Sequence, residues 1–543
     1  MNRTVNRRVA LVGLLGAGVA VGAGLSIRAW GRDHAGEPEP VGEHPLISNI
    51  NVLTSDLALP QPFKLPLVVP PVLTPVPSGG ADTYELVQQV AKQEILPGLQ
   101  TEIWGYNGVF PGPTLVSRRG RPTVVRHRNE LPVPTVVHLH GGHTPPGSDG
   151  FPTDLVLPDP TRVPKNPRAS VKPMPPGMTH HAPVADPAAH VVKLSRDYTY
   201  PMDQRAATLW YHDHRMDYTG PSVWRGLAGF HLVRDDVEDA LPLPGGDREI
   251  PLMIADRAFA ADGSLKYPSL DPSLTVMPGV EQAYMQGVMG DVILVNGVPW
   301  PVLEVEAVRY RFRILNASNA RSYELALDRA PDGDVPLVQI GSDGGLLGEP
   351  VAHRTLSVAP AQRFDVVIDF SRYRPGDLVK LTNLAGTGPT VNVMAFRVTR
   401  TASDDSSVPA KLSDFERIDP AEAVRERSFD FHRAGDEGWF INGRFFDPTK
   451  PEATPKLGDT ELWTFTSDYH HPVHVHLVSF QVVSRDGGPP GRYDVGWKDT
   501  VFVNGAEKVS VIARFTGYRG RYVLHCHNLE HEDMAMMSTF EVV

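Results

Sequence analysis

The residues best suited to chemistry lie near the end of the chain, in His525-Cys526-His527 and the following Asn528-Leu529-Glu530-His531-Glu532-Asp533-Met534-Ala535-Met536. Cys526 is the one cysteine among 543 residues, so no disulfide can form within the chain. In an extended strand alternate side chains share a face and neighbours point apart. His525 and His527 therefore face one way and Cys526 the other. Two metal centres can be joined by so short a covalent path, one on the thiolate and one on the two imidazoles.

On the thiolate side, one cysteine, two histidine nitrogens and a weak axial thioether make a blue-copper set. His531 and Met536 follow Cys526 closely enough to return on the loop after the strand, and His471 is the candidate for the remaining ligand. Zinc also takes Cys and His, but it gives no role to the flanking histidines or to Met536. On the imidazole side the chain supplies three more pairs: His138-Leu139-His140, His212-Asp213-His214 and His474-Val475-His476, the last preceded by His471-Pro472-Val473. Each pair has i, i+2 spacing and shares a strand face. Eight imidazoles suffice for three ions taking three, three and two nitrogens, with positions left for oxygen species. A single such pair is commonly two exposed strand residues. Four pairs, with a cysteine inside one, are a specific signal.

The elements that must position these residues read as β. The length predicts three or four domains at about 150 residues each. With 49 Gly, 52 Pro and 41% hydrophobic residues the chain is folded, turn-rich and mainly strand. A net charge of −11 argues against nucleic acid as a partner. A first domain is expected over residues 45–240. There Tyr106-Asn107-Gly108 and Pro111-Gly112-Pro113 turn into a strand at Thr114–Ser117, and Val136–His140 alternates as a ligand-bearing strand should. Twelve prolines between Pro145 and Pro187 predict a long surface loop crossing near the substrate end. Met174, Met178, His180 and His181 in that loop are candidates for an extra copper ion, against the plainer reading of a solvated proline-rich lid.

Residues 245–400 form a second expected domain, with strands at Arg309–Leu315 and Arg363–Phe370. It has one histidine, His353, and none of the paired motifs, which suggests a spacer letting its neighbours face each other. Thr401–Ser407 reads as a linker to a third domain, 408–543, with strands at Thr460–Phe465, Val509–Phe515 and Thr539–Val543. His34, His44, His127, His143, His190, His231, His353 and His432 lack paired spacing and read as surface or core residues. Tyr469 and His470 are expected to line the approach to the thiolate site.

Residues 1–33 read as an export signal. Arg3, Arg7 and Arg8 precede the apolar run Val9–Leu25, and the Arg7-Arg8 pair suggests twin-arginine export of folded cargo. An ordinary secretory signal or an uncleaved anchor is the alternative, since no clean A-x-A cleavage site is visible. Removing the segment deletes five basic residues and one acidic, taking the net charge from −11 to −15.

The runs HLHGG (138–142), LWYHDH (209–214), HPVHVHLVSF (471–480) and HCHNLEHEDMAMM (525–537) resemble the copper motifs of three-domain multicopper oxidases. The likeness is strongest to the bacterial spore-coat laccase, bilirubin oxidase and phenoxazinone synthase branch. It implies an all-β chain of three cupredoxin-like Greek-key β-barrel or sandwich domains holding four coppers. His471, Cys526, His531 and Met536 would hold the type 1 copper, and His138 and His474 the type 2. One type 3 copper would take His140, His212 and His527, the other His214, His476 and His525. Asp149 and Glu532 match the family's acids near the oxygen channel and would carry protons, although Ser148-Asp149-Gly150 also reads as a plain turn. Asp213, between two ligands, would point away and orient other groups. The resemblance implies a laccase-like oxidase passing single electrons from phenols, aromatic amines or bilirubin to O2. Met536 as axial ligand would tune the type 1 potential downward. The competing readings are a metallo-oxidase for Cu(I), Fe(II) or Mn(II) and a non-catalytic copper-binding or coat protein. A two-domain nitrite reductase is disfavoured, because it lacks the type 3 pair. A monomer is expected, with O2 and a small reductant as partners.

Overall fold

The computed structural model describes residues 51–165, 171–172, 184–331, 335–435 and 438–543. The expected export signal and Met174, Met178, His180 and His181 lie outside the described residues. Among the described residues, no helix is long and apolar enough to cross a membrane.

Strands dominate, in three successive pairs of sheets that make sandwiches rather than closed barrels. In the first pair, Ala81–Gln93 shows why such a strand forms. Asp82, Tyr84, Leu86 and Gln88 are buried on one face while Thr83, Glu85 and Val87 face outward, the period-two pattern of a half-buried strand. Its partner sheet runs Gly112–Arg118, Ala228–Arg234, Ala207–Asp213, Val137–His140. Ala207–Asp213 is buried along its whole length, so both of its faces are covered. Leu209 and Tyr211 enter the local core, and Trp210 and His212 take the other face. The last two strands are antiparallel with His138 opposite His212.

The second pair, a seven-stranded and a five-stranded sheet, spans residues 249–401 and buries much of the largest apolar cluster. In the third pair the four-stranded sheet runs Thr500–Val503, His471–Val475, Gly520–Cys526, Met537–Val542. Here His474 lies opposite His525 and Val473 opposite Cys526. Two sheets from distant parts of the chain thus each offer a pair of adjacent histidine strands. Side-chain period two makes that register essential, because a slip of one residue would turn every imidazole to the wrong face.

The expected strands form with small changes of boundary, for example Gly112–Arg118, Arg309–Asn316 and Lys508–Arg514. The expected surface loop after Pro145 needs correction only at its start, since the described residues beyond Asp159 are mostly exposed. A short 3-10 turn, Pro146–Ser148, carries Asp149, Gly150 and Phe151 into the interior, where all three are buried. Further on, Asp186 pairs with Arg521 of the last sheet. Proline density reports the absence of ladder hydrogen bonds, not exposure. Gly150 has φ +83°, and a Cβ there would stand 2.2 Å from the carbonyl oxygen of Val137. This segment therefore lies directly on the strand that bears His138.

Candidate metal centres

The thiolate site assembles within the third pair of sheets. Cys526 Sγ lies 3.3 Å from His471 Nδ1 and 3.6 Å from His531 Nδ1, and the two nitrogens are 3.1 Å apart. All three residues are buried. His531 sits not on a loop, as expected, but on the short helix Leu529–Asp533. Met536 is fully buried in the same apolar cluster as Cys526, its carbonyl accepting from Cys526 N–H at 3.1 Å. Burial pushes the Cys526 thiol well above its usual range, and the Asn528 N–H, 3.3 Å from the sulfur, opposes that. A buried thiolate with two bare imidazole nitrogens against it is stable only with a cation between them.

The eight paired histidines meet in a second, larger chamber between the first and third pairs of sheets. Three clusters of converging ligand atoms fall there: His138, His140 and His474; His140, His212 and His527; His214, His476 and His525. The hydrogen bonds fix which nitrogen of each ring faces inward. His138 Nδ1 donates to the Asp149 carbonyl at 2.6 Å and His474 Nδ1 to the Asp499 carbonyl at 2.8 Å. Their Nε2 atoms, left bare, stand 3.4 Å apart. His212 Nδ1 donates to the Asp213 carbonyl, and its Nε2 has no partner. His525 Nε2 is 3.3 Å from both His214 Nε2 and His476 Nε2. Neither nitrogen of His527 has a hydrogen-bond partner. Burial holds His138, His140, His212, His214, His474, His476 and His527 below the usual imidazole range, so these rings are neutral. Lone pairs facing lone pairs repel. The chemistry of this donor set fits metal ions, and imidazole nitrogen suits copper.

Both predicted carboxylates reach the chamber. Asp149 Oδ2 accepts from His476 Nδ1 at 2.7 Å, while Oδ1 has no hydrogen-bond partner. Burial pushes this carboxyl well above the usual range. Glu532 accepts from Thr219 Oγ1 at 2.6 Å and lies 3.1 Å from His525 Nδ1 and 3.4 Å from His214 Nδ1. Burial works upward on it too, but the two imidazoles outweigh burial and bring it down to about 2. Asp213 accepts from Val136 N–H at 3.0 Å, which ties the end of its strand to that of Val137–His140. His127, His231 and His353 are buried core residues, whereas His143, His190 and His432 lie nearer the surface. Tyr469 and His470 are half-buried, their rings 3.8 Å apart beside the thiolate site.

Asp499 was not foreseen from the sequence. Its Oδ1 is 3.1 Å from His140 Nε2, so His140 alone among the bonded rings turns its Nδ1 inward, and that atom has no partner. Arg363 of the middle segment grips Asp499 through both terminal nitrogens, one at 2.7 Å from Oδ1 and the other on Oδ2. Gly141, at φ +83°, passes so close that a Cβ would lie 2.6 Å from Arg363 Nη2. The one sequence signal was the charged pair Lys498-Asp499 at the mouth of an apolar strand. The middle segment is therefore more than a spacer. It also bonds to the helix Leu529–Asp533, where Glu530 accepts from Tyr267 Oη at 2.8 Å, Asn319 Nδ2 at 2.7 Å and Val288 N–H at 2.8 Å.

Comparison with known proteins agrees with this geometry. A multicopper oxidase family model matches residues 88–166 and 189–238, and a second with the same description matches 419–543. The chain is 36% identical to a laccase of Bacillus stratosphericus, over 89% of this chain and 99% of that one. It is 35% identical to a bilirubin oxidase of Albifimbria verrucaria, over 88% and 81%. Among solved structures, a laccase from Pediococcus acidilactici superposes with a TM-score of 0.74 at 29% identity, covering 91% of this chain and 95% of the other. The chain belongs to the multicopper oxidase family, and its sandwiches are of the cupredoxin type.

Proposed function

We propose that this protein is a laccase-like oxidase that takes single electrons from phenols or aromatic amines, and also from bilirubin, and reduces O2 to water. The observation that carries the reading is the adjacency of the two sites: Cys526 in one and His525 and His527 in the other are successive residues. Four coppers are proposed: type 1 on His471, Cys526, His531 and Met536, type 2 on His138 and His474, and a type 3 pair on His140, His212, His527 and His214, His476, His525. Copper, when bound, supplies one-electron redox chemistry and the binding of O2. The chain's own residues do the rest. Backbone carbonyls and Asp499 orient the rings, and buried walls keep bulk water from the chamber. Asp149 holds a proton at Oδ1, and Glu532, kept anionic, receives protons from the Thr219 side. In both cases a carboxylate hydrogen-bonded to a ligand ring can pass a proton inward without moving that ring.

The domain limits 45–240, 245–400 and 408–543 and the export signal 1–33 belong to the same proposal, as does a monomeric, exported protein with no nucleic-acid partner. The successive sheet pairs support the former, and the Arg7-Arg8 pair ahead of an apolar run supports the latter. The test is to purify the protein with copper, record its spectrum and measure oxygen uptake with 2,6-dimethoxyphenol. A blue band, a near-ultraviolet shoulder and uptake without peroxide are expected. A colourless protein with a full copper load, or a blue one that consumes no oxygen with any phenol, would overturn the reading.

A further inference from the structure

His531, at the outer edge of the thiolate site, is closed to direct contact. The ring is fully buried. One nitrogen faces Cys526, and the other side of the ring meets the 285–287 segment, with Asn528 Nδ2 3.2 Å from Nε2 and bonded in turn to the Gln286 carbonyl. One ring face is covered by the indole of Trp439, with centroids 3.7 Å apart and planes at 29°. Trp439 comes from the short strand Trp439–Ile441, is itself 1% exposed, and is pinned by its N–H donating to the Met285 carbonyl at 3.2 Å. The half-buried Tyr469 ring lies 6.0 Å from Trp439 and 6.4 Å from His531, so the indole stacked at 3.7 Å is the closer neighbour of the ligand ring. Phe445 and Met534, which flank Gly438 just before Trp439, are half-buried too. No reductant can reach His531 itself, yet the indole stacked on it adjoins the half-buried Tyr469 ring.

Resting on the oxidase reading above, we propose that Trp439 is the electron inlet: an aromatic reductant docks on the Tyr469 rim, and its electron crosses the Trp439 indole to His531. The reductant, a phenol, loses one electron and releases its hydroxyl proton to water. The copper that His471, Cys526 and His531 would hold would be the one-electron acceptor, and the indole is left unchanged. The inlet selects for flat aromatic donors, because they alone can lie against the Tyr469 ring and share its face.

The experiment compares the copper-loaded parent with Trp439→Leu and Tyr469→Leu, bleaching the blue band anaerobically with a phenol. Copper content and the potential of the blue site should match the parent in both variants, while bleaching slows by about tenfold or more. Tyr469→Leu, at a half-buried position, keeps the test available if loss of the buried indole prevents folding. In the copper-free protein, a redox-inert aromatic such as 4-nitroanisole should quench tryptophan emission saturably, and Trp439→Phe and Tyr469→Leu should each lose that quenching. Faster bleaching without Trp439 would show that the indole merely shields His531. Unchanged bleaching would place the inlet elsewhere, for instance across the Gln286 peptide. Either result overturns the inlet and leaves the oxidase reading standing. A parent whose blue band no phenol bleaches overturns both.

Discussion

The two candidate metal sites are one residue apart in sequence and built in opposite ways. Every side chain of the thiolate site comes from residues 471–536 and one pair of sheets. The imidazole chamber takes half of its rings from 138–214 and half from 474–527, and it closes only where two pairs of sheets meet. The thiolate site needs only its own sandwich to be correct. The chamber needs a correct interface, which is why buried ion pairs from the middle segment, Arg363 on Asp499 above all, are drawn up around it. Such pairs are poor sources of stability but good specifiers of one arrangement.

The comparison can be broken at its joint. Cys526→Ser should abolish the blue band and lower turnover by more than about a thousandfold, while the near-ultraviolet signal of the chamber survives. Optical and paramagnetic spectra check this, and loss of both signals together would mean that the chamber is not independent of the thiolate. A smaller and opposite effect is expected of Asp499→Asn. With Arg363 claiming the amide oxygen, the amide N–H would face His140 Nε2 and drive the ring proton to Nδ1, the atom that faces the chamber. Copper affinity of the chamber should fall about 10–100-fold, the loss typical of outer-shell partners, with the blue band intact. Metal analysis beside the visible spectrum decides it.

The smallest effect on either site should come from Glu249→Gln in the middle segment. Glu249 accepts from Arg234 at 2.8 Å and also bonds Arg313. Burial raises its carboxyl, but Arg313, Arg311 and Arg234 outweigh burial and bring it down to about 2 from an ordinary 4.5. Because the folded value is the lower one, its stabilisation is complete above the unfolded value and is lost as pH falls from about 4.5 through 2. The variant should be less stable at pH 7 by about 3–5 kcal/mol, leaving buried arginine charge uncompensated, and should show a flatter acid limb. Thermal midpoints at pH 7, 5 and 3.5 measure this, and turnover at 25 °C should not change.

Much of the two sites was legible in the sequence because ligands borne on strands repeat every two residues, and His138/His140, His474/His476 and His525/His527 display that period openly. The roles of Asp499, Arg363 and Trp439 were not legible. Each acts through one long-range contact that no local spacing encodes. Asp149 was half legible, since its turn could be read but not the direction in which the turn faces. The start of the proline-rich stretch misled for a related reason. Prolines declare that a segment cannot sit inside a sheet, yet they are silent on whether it lies over the surface or plugs a hole.

The span between His138 and His474, whose bare nitrogens end 3.4 Å apart across 336 residues of chain, has a bearing on how the molecule comes into being. While the ribosome is still making the last sandwich, the first one holds four imidazoles with nothing opposite them. A chain halted before residue 525 can fold its early sheets and still never close the chamber. Uptake of the full metal load would therefore register that synthesis had passed His527 and that the first and third sandwiches had met.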